Sequence, residues 1–235
     1  MSGHSKWSTI KHKKGVTDAK RSKVFSRIAK AIMVAVQNGD NDPEMNSALK
    51  LAIDQAKKAN MPKDNIERAM KKGSGDDSAR IEEVTYEGMG PGGAMMIITC
   101  ATDNTNRALT DVKTALKKNN GKFVPSGSVS FQFDFVGYIS ITPKDIETAE
   151  LLAIEAGAED VFEENSNLTI ITSPTSLHNV LKGIEKEAES INEAKLIYNP
   201  TQQVTLNTED TEKYDDLYEI LEELDDVNEI FDNVA

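Results

Sequence analysis

Residues 137–198 read GYISITPKDIETAELLAIEAGAEDVFEENSNLTIITSPTSLHNVLKGIEKEAESINEAKLIY. The hydrophobic period switches between two and about 3.6 along this stretch, and each switch marks a new element. Alternation over 137–142 predicts a strand. Pro143 opens a helix over 143–156. Short β-prone runs at 159–163 and 168–172 predict two more strands, and Pro174 opens a second helix over 174–189. A last alternation covers 193–198. The order β-α-β-β-α-β is the ferredoxin-like pattern.

The flanks repeat the chemistry but break the order. Upstream, 83–88 and 94–102 read as strands joined by a turn over 89–93, followed by a helix over 105–119 and a strand over 128–135. Downstream come a strand over 203–207, a helix over 210–224 and a strand over 227–231. These pieces complete one another across the intervening 137–198 stretch. Further upstream, three amphipathic helices are expected. The first runs over 17–38 with Gly39 as its stop, and carries Val24, Ile28, Ala31, Ile32 and Ala35 on one face. The second starts after Asp42 with Pro43 in its first turn, and carries Met45, Leu49, Ala52, Ile53 and Ala56. The third runs from near Pro62 to Gly73, with Ile66, Ala69 and Met70 inward. Three such helices with brief connections make a small bundle. The expected class is therefore α+β: an N-terminal three-helix domain plus two ferredoxin-like α/β domains, one inserted into the other. The expected boundaries are a basic arm at 1–16, the helical domain at 17–75, the split domain at 80–135 with 201–235, and the insert at 136–200.

Charge divides the chain at the linker over 73–78. Residues 1–75 hold 16 Lys+Arg against 7 Asp+Glu, a net of +9, while the remainder carries −21 within a total of −12. Nine of the cations fall within the first 30 residues, opposed there only by Asp18. Such a block attracts a polyanion. His4, Lys6, Lys11, His12, Lys13 and Lys14 surround Trp7, which can stack on a base. Lys20, Lys23, Arg27 and Lys30 continue the charge as a helical stripe beside the apolar face. These eleven residues are the candidate nucleic-acid contacts. The segment around Asn104, Asn106 and Arg107 is a candidate anion site, because a strand ends and a helix begins there. Plain N-capping by Asp103, Asn104 or Thr105 competes with that reading. Gly90-Pro91-Gly92-Gly93 reads as a hairpin turn rather than a phosphate loop, since no Lys-Ser/Thr or helix follows it. The acidic end over 209–235 reads as a packed helix with a solvated outer face; a sharper alternative is that acidic segments hold the basic arm when no nucleic acid is present.

Other classes lack signals. The single cysteine, Cys100, forms no internal disulfide or thiolate cluster and fits a reducing compartment. No apolar run approaches the roughly 20 residues of a membrane helix, and no apolar region follows the basic start as in a secretory signal. The start bears only a loose likeness to a mitochondrial presequence. No nucleophile–base pair or metal motif stands out. No cofactor, metal, membrane or small-molecule substrate is expected.

Specific motifs carry a resemblance along the whole chain. Gly3-His4-Ser5-Lys6-Trp7 with Ile10-Lys11-His12-Lys13, the run Asn60-Met61-Pro62-Lys63-Asp64-Asn65-Ile66-Glu67-Arg68-Ala69, Tyr86-Glu87-Gly88, Gly90-Pro91-Gly92-Gly93, Thr102-Asp103-Asn104, Asn106-Arg107, Gly127-Ser128-Val129-Ser130 and Glu155-Ala156-Gly157-Ala158-Glu159-Asp160 together resemble the YebC/PmpR family. Ser8-Thr9 stands where the family often has Ala-Asn, Thr105 where a second Arg is common, and Phe131 where Trp is usual. The resemblance implies the same three-domain fold and no catalytic activity. It implies either a ribosome-associated translation factor in the cytoplasm, contacting rRNA or tRNA, or a regulator of transcription that binds duplex DNA. The family includes the mitochondrial translational activator of cytochrome oxidase subunit one.

Overall fold

The computed structural model describes residues 18–75, 80–164 and 166–235. They form two compact units, one ending at Gln132 and resuming at Pro200, the other spanning Phe133–Asn199. The helical segment and the split α/β segment therefore share one unit, and the insert is the other.

Helix α1 (Asp18–Asn38), α2 (Ser47–Lys58) and α3 (Lys63–Gly73) make the bundle. Their core is Ile32, Met33, Ala35 and Val36 from α1, Leu49, Ala52 and Ala56 from α2, and Ile66 and Ala69 from α3, with Met61 between the last two helices. Burial is concentrated in the second half of α1, and Val24 is 40% exposed. The second helix starts later than its sequence suggests. Pro43 lies in a turn in which Asp42 O accepts from Met45 N and Asn46 N at 3.0 and 2.9 Å. Asn46 then caps α2, its Oδ1 accepting from Leu49 N at 3.0 Å while its Nδ2 donates to Ala35 O and Asp40 O at 2.8 Å. A side chain that satisfies the end of one helix and the start of the next outweighs proline's preference for a first turn. Met45 is left outside the helix and 76% exposed, contrary to its expected place in the apolar stripe. Gly73 is part of the packing rather than of a free linker. A Cβ there would lie 2.9 Å from Met33 O and 3.0 Å from Val36 Cβ, so α3 meets α1 almost backbone to backbone.

The α/β part of this unit has strands β1 (Glu82–Met89), β2 (Met95–Thr102), β3 (Lys122–Val124) and, from the far end of the chain, β8 (Val227–Asp232). Helices α4 (Thr105–Lys118) and α7 (Thr208–Glu222) cover one face. Met96, Ile98 and Cys100 of β2 pack with Val112, Ala115 and Leu116 of α4 and with Tyr214, Leu217 and Leu221 of α7. The β1–β2 hairpin pairs Glu82 with Thr102 through Met89 with Met95, closing on the expected Gly-Pro-Gly-Gly turn. The sheet order is β3-β1-β2-β8. Strand β3 has three residues and no resolvable period in the sequence. Two expected strands do not form as read: the first keeps only Phe133–Phe135 as strand, and the second is reduced to a bridge. Over 128–135 the chain makes a 3-10 turn at Ser130–Gln132, because the preceding backbone is bent round a buried carboxylate (below). Over 203–207 only an isolated bridge forms, between Val204 and Val234.

The insert has β4 (Phe133–Pro143), α5 (Ile146–Glu155), β5 (Ala158–Glu164), β6 (Asn167–Thr172), α6 (Leu177–Ile184) and β7 (Ala188–Pro200). Its sheet order is β5-β6-β4-β7, the ferredoxin-like arrangement. Helix α6 spans Leu177–Ile184 rather than the expected 174–189: a 3-10 turn at Glu185–Glu187 carries the chain into a longer β7. Ile139, Ile141, Ala149, Ala153, Leu168, Ile170, Val180 and Ile184 form the apolar centre. Both sheets share one spatial order. In the split part, however, the hairpin strand beside the centre comes first in the chain as β1, so its connectivity is a permutation of the insert's.

Candidate functional site

Of the eleven candidate nucleic-acid contacts, His4, Lys6, Trp7, Lys11, His12, Lys13 and Lys14 lie outside the described residues, as does the side chain of Lys20. The other three, Lys23, Arg27 and Lys30, fall at i, i+4 and i+7 on α1 and share one side of that helix. They face the C-terminal end of α7. Lys23 Nζ donates to Glu223 O and Arg27 Nη2 donates to Glu222 O. Lys30 Nζ reaches Asp225 O and Asp226 Oδ1, each at 2.9 Å. A helix C-terminus presents unsatisfied carbonyls and partial negative charge, which cations satisfy.

Asp226 is the centre of this arrangement. It lies in the tight turn between α7 and β8, its side chain 8% exposed. Arg107 from the first turn of α4 meets it on the other side, with Nη2 and Nε donating to Oδ2 at 2.8 and 3.0 Å. Arg107 also pairs with Asp103 at 2.8 Å. Burial pushes the Asp226 carboxyl up, but hydrogen bonds from Lys30 and Arg107 and the charge of Lys30 outweigh it and hold the group below the ordinary aspartate range. The sign fixes a pH effect. A carboxyl with a depressed folded pKa contributes stability that is full above its unfolded value of about 3.9 and is lost as pH falls through the folded value. Acid unfolding of the wild type is thus expected to include an Asp226 component below about pH 4, absent from an Asp226→Asn variant; denaturant midpoints measured from pH 6 downward check this.

The candidate anion site resolves into two ordinary roles and one ion pair. Asn104 Oδ1 accepts from Arg107 N at 3.0 Å and caps α4. Asn106 is exposed, its carbonyl accepting from Thr110 Oγ1 at 2.7 Å. The anion beside the Arg107 guanidinium is the chain's own Asp226.

Between α1 and these acidic residues lies an open groove of about 1020 Å³, lined by Lys23, Arg27, Lys30, Lys72 and Arg107 and by Asp103, Asp225 and Asp226. Lys72, Lys71 and Arg68 of α3 are exposed. The groove thus joins cations from three helices. Sequence reasoning placed the stripe but missed Asp226 and the α7 terminus. One signal was available: the run Glu222-Glu223-Leu224-Asp225-Asp226 has Lys213 as its nearest cation in sequence, so its counter-charges have to come from elsewhere in the fold.

A second buried carboxylate explains two of the quoted motifs. Glu87 of β1 is 4% exposed and accepts from Gly127 N at 2.7 Å, Val129 N at 2.6 Å and Ser130 N at 3.3 Å. Gly127 has φ +87°, a conformation that turns these amides toward one point. Burial raises the Glu87 carboxyl, and these backbone donors overcome it and hold it low. Next to it, Tyr86 Oη donates to Thr105 O at 3.0 Å.

Comparison with known proteins bears on the whole chain. A family model described as the TACO1/YebC protein N-terminal domain matches residues 5–76, and one described as the TACO1/YebC second and third domain matches residues 81–234. A "probable transcriptional regulatory protein" of Geotalea uraniireducens is 46% identical over 236 residues, covering 99% of this chain and 95% of that protein. A protein of the same name from Bifidobacterium longum is 44% identical over 237 residues, covering 99% and 94%. The crystal structure of a conserved hypothetical protein, Aq1575, from Aquifex aeolicus superposes with a TM-score of 0.87 at 41% identity, covering 98% of this chain and 97% of that one.

Proposed function

The chain belongs to the TACO1/YebC family, and from that premise we propose that it is a non-enzymatic nucleic-acid-binding regulator of gene expression, acting as a ribosome-associated translation factor that contacts RNA. The observation that carries this reading is the convergence of Lys23, Arg27, Lys30, Lys72 and Arg107 on one groove, continuous in sequence with the cationic residues 1–16. Each Lys or Arg that neutralises a phosphate releases condensed counterions, and Trp7 adds a stacking surface. The negative remainder of the chain repels phosphate and confines contact to the basic end. Translation is favoured by the resemblance set out above. A second reading, binding of duplex DNA as a transcriptional regulator, is favoured by the printed names of the relatives.

Salt dependence tests the shared part of both readings. Contact with about six phosphates gives a slope of log affinity against log salt of roughly −4 to −5. Deleting residues 1–15 flattens it; an unchanged slope removes the arm from the site. Ribosome co-sedimentation that is lost on charge reversal at Lys11, Lys13 and Lys14 supports the translation reading. Preference for one duplex over random duplex by about 10³-fold or more supports the transcription reading instead.

A further inference from the structure

Three observations converge on the end of α7. Four cations from two helices are spent on one short acidic segment, although the nucleic-acid reading gives the same cations to phosphate. The partner is an anion of similar reach: a carboxylate 8% exposed, flanked by carbonyls of residues 222, 223 and 225. Lys23 and Lys30 are seven residues apart, about 10 Å along a helix at 1.5 Å per residue. That span equals about three steps of a nucleic-acid strand at about 3.4 Å each.

We propose that the α7 terminus with Asp226 is a built-in competitor for phosphate: it occupies Lys23, Arg27, Lys30 and Arg107 in the nucleic-acid-free protein, and a bound phosphodiester strand displaces it. This rests on the nucleic-acid reading above and specifies how that site is regulated. The exchange is balanced by construction. Carbonyl dipoles and a single carboxylate are weaker partners than a row of full phosphate charges, so the strand wins at low salt. Because the internal contacts are tethered, they re-form as soon as phosphate is withdrawn.

The test is anisotropy binding of a fluorescent poly(U) oligonucleotide by the full chain at about 0.1 M salt, where charges interact over about 10 Å. Three proteins are compared: wild type, Asp226→Asn, and Glu209→Gln, the last making the same charge change at the other end of α7. Asp226→Asn is expected to bind at least about fivefold tighter than wild type, and Glu209→Gln to match wild type. If wild type binds and Asp226→Asn gains nothing, or Glu209→Gln gains equally, the competitor is refuted while the nucleic-acid reading stands. If none of the three binds, both fall. A measurement on wild type covers the case of an unstable variant. The Arg107 Nε–H resonance, set by its 3.0 Å bond to Asp226, shifts on saturation with the oligonucleotide if the carboxylate is displaced, and a stationary resonance overturns the proposal.

Discussion

Glu87→Ala is expected to destabilise the first unit by about 3 kcal/mol or more, because hydrogen bonds to a charged group contribute about 1.5–3 kcal/mol each and buried donors left unpaired are costly. Three backbone N–H groups lose their acceptor together. The bend over 127–130 leads directly to β4 and the insert. Glu87→Gln keeps one acceptor oxygen and is expected to lose about half as much. Urea unfolding at neutral pH, read by a probe in the β1–β2 sheet, measures both. A loss below about 1 kcal/mol for the alanine variant would mean that water replaces the carboxylate. The acid limb adds an independent check. The depressed folded pKa makes this contribution full above the unfolded glutamate value of about 4.3 and removes it as pH falls through the folded value. The difference between wild type and Glu87→Gln should therefore shrink in acid.

Gly73→Ala is a prediction about sign. In an exposed helix interior this change stabilises by about 1 kcal/mol. Here the added methyl meets the Met33 backbone at 2.9 Å, an atom that no rotamer change can move. The expected outcome is a loss of about 1–3 kcal/mol from overpacking, with a larger loss for Gly73→Leu. Thermal unfolding followed by helical circular dichroism decides it; a stabilised alanine variant would show that α3 slides away from α1 without cost. Since α1 carries the basic stripe, the Leu variant should also disturb the Lys30–Asp226 contact while leaving residues 1–16 intact.

The sequence disclosed what depends on local periodicity. The order of elements in the insert, the three N-terminal helices and the stripe of Lys23, Arg27 and Lys30 all follow from spacing alone. What it hid depends on distant partners. The expected strand over 128–135 turns before it extends at Phe133, because Glu87, some 40 residues upstream, gathers the amides of Gly127 and Val129. The second helix starts at Ser47 because Asn46 finds acceptors at the end of α1. The stripe was legible as cationic, yet its neighbour lies about 195 residues away in sequence. A run of acids reads as a solvated surface until the fold supplies its counter-charges.

The permuted sheet has a consequence for synthesis. Strand β2 acquires its outer neighbour β8 only when the last ten or so residues of the chain exist, after the whole insert has been made. During translation the first unit waits half-built, one edge of its sheet bare, while the insert can already close upon itself. A chain made only as far as α7 therefore has its cations uncovered and its apolar layer open at the same moment, and the segment from Glu222 through β8 is the latch that ends both exposures in quick succession.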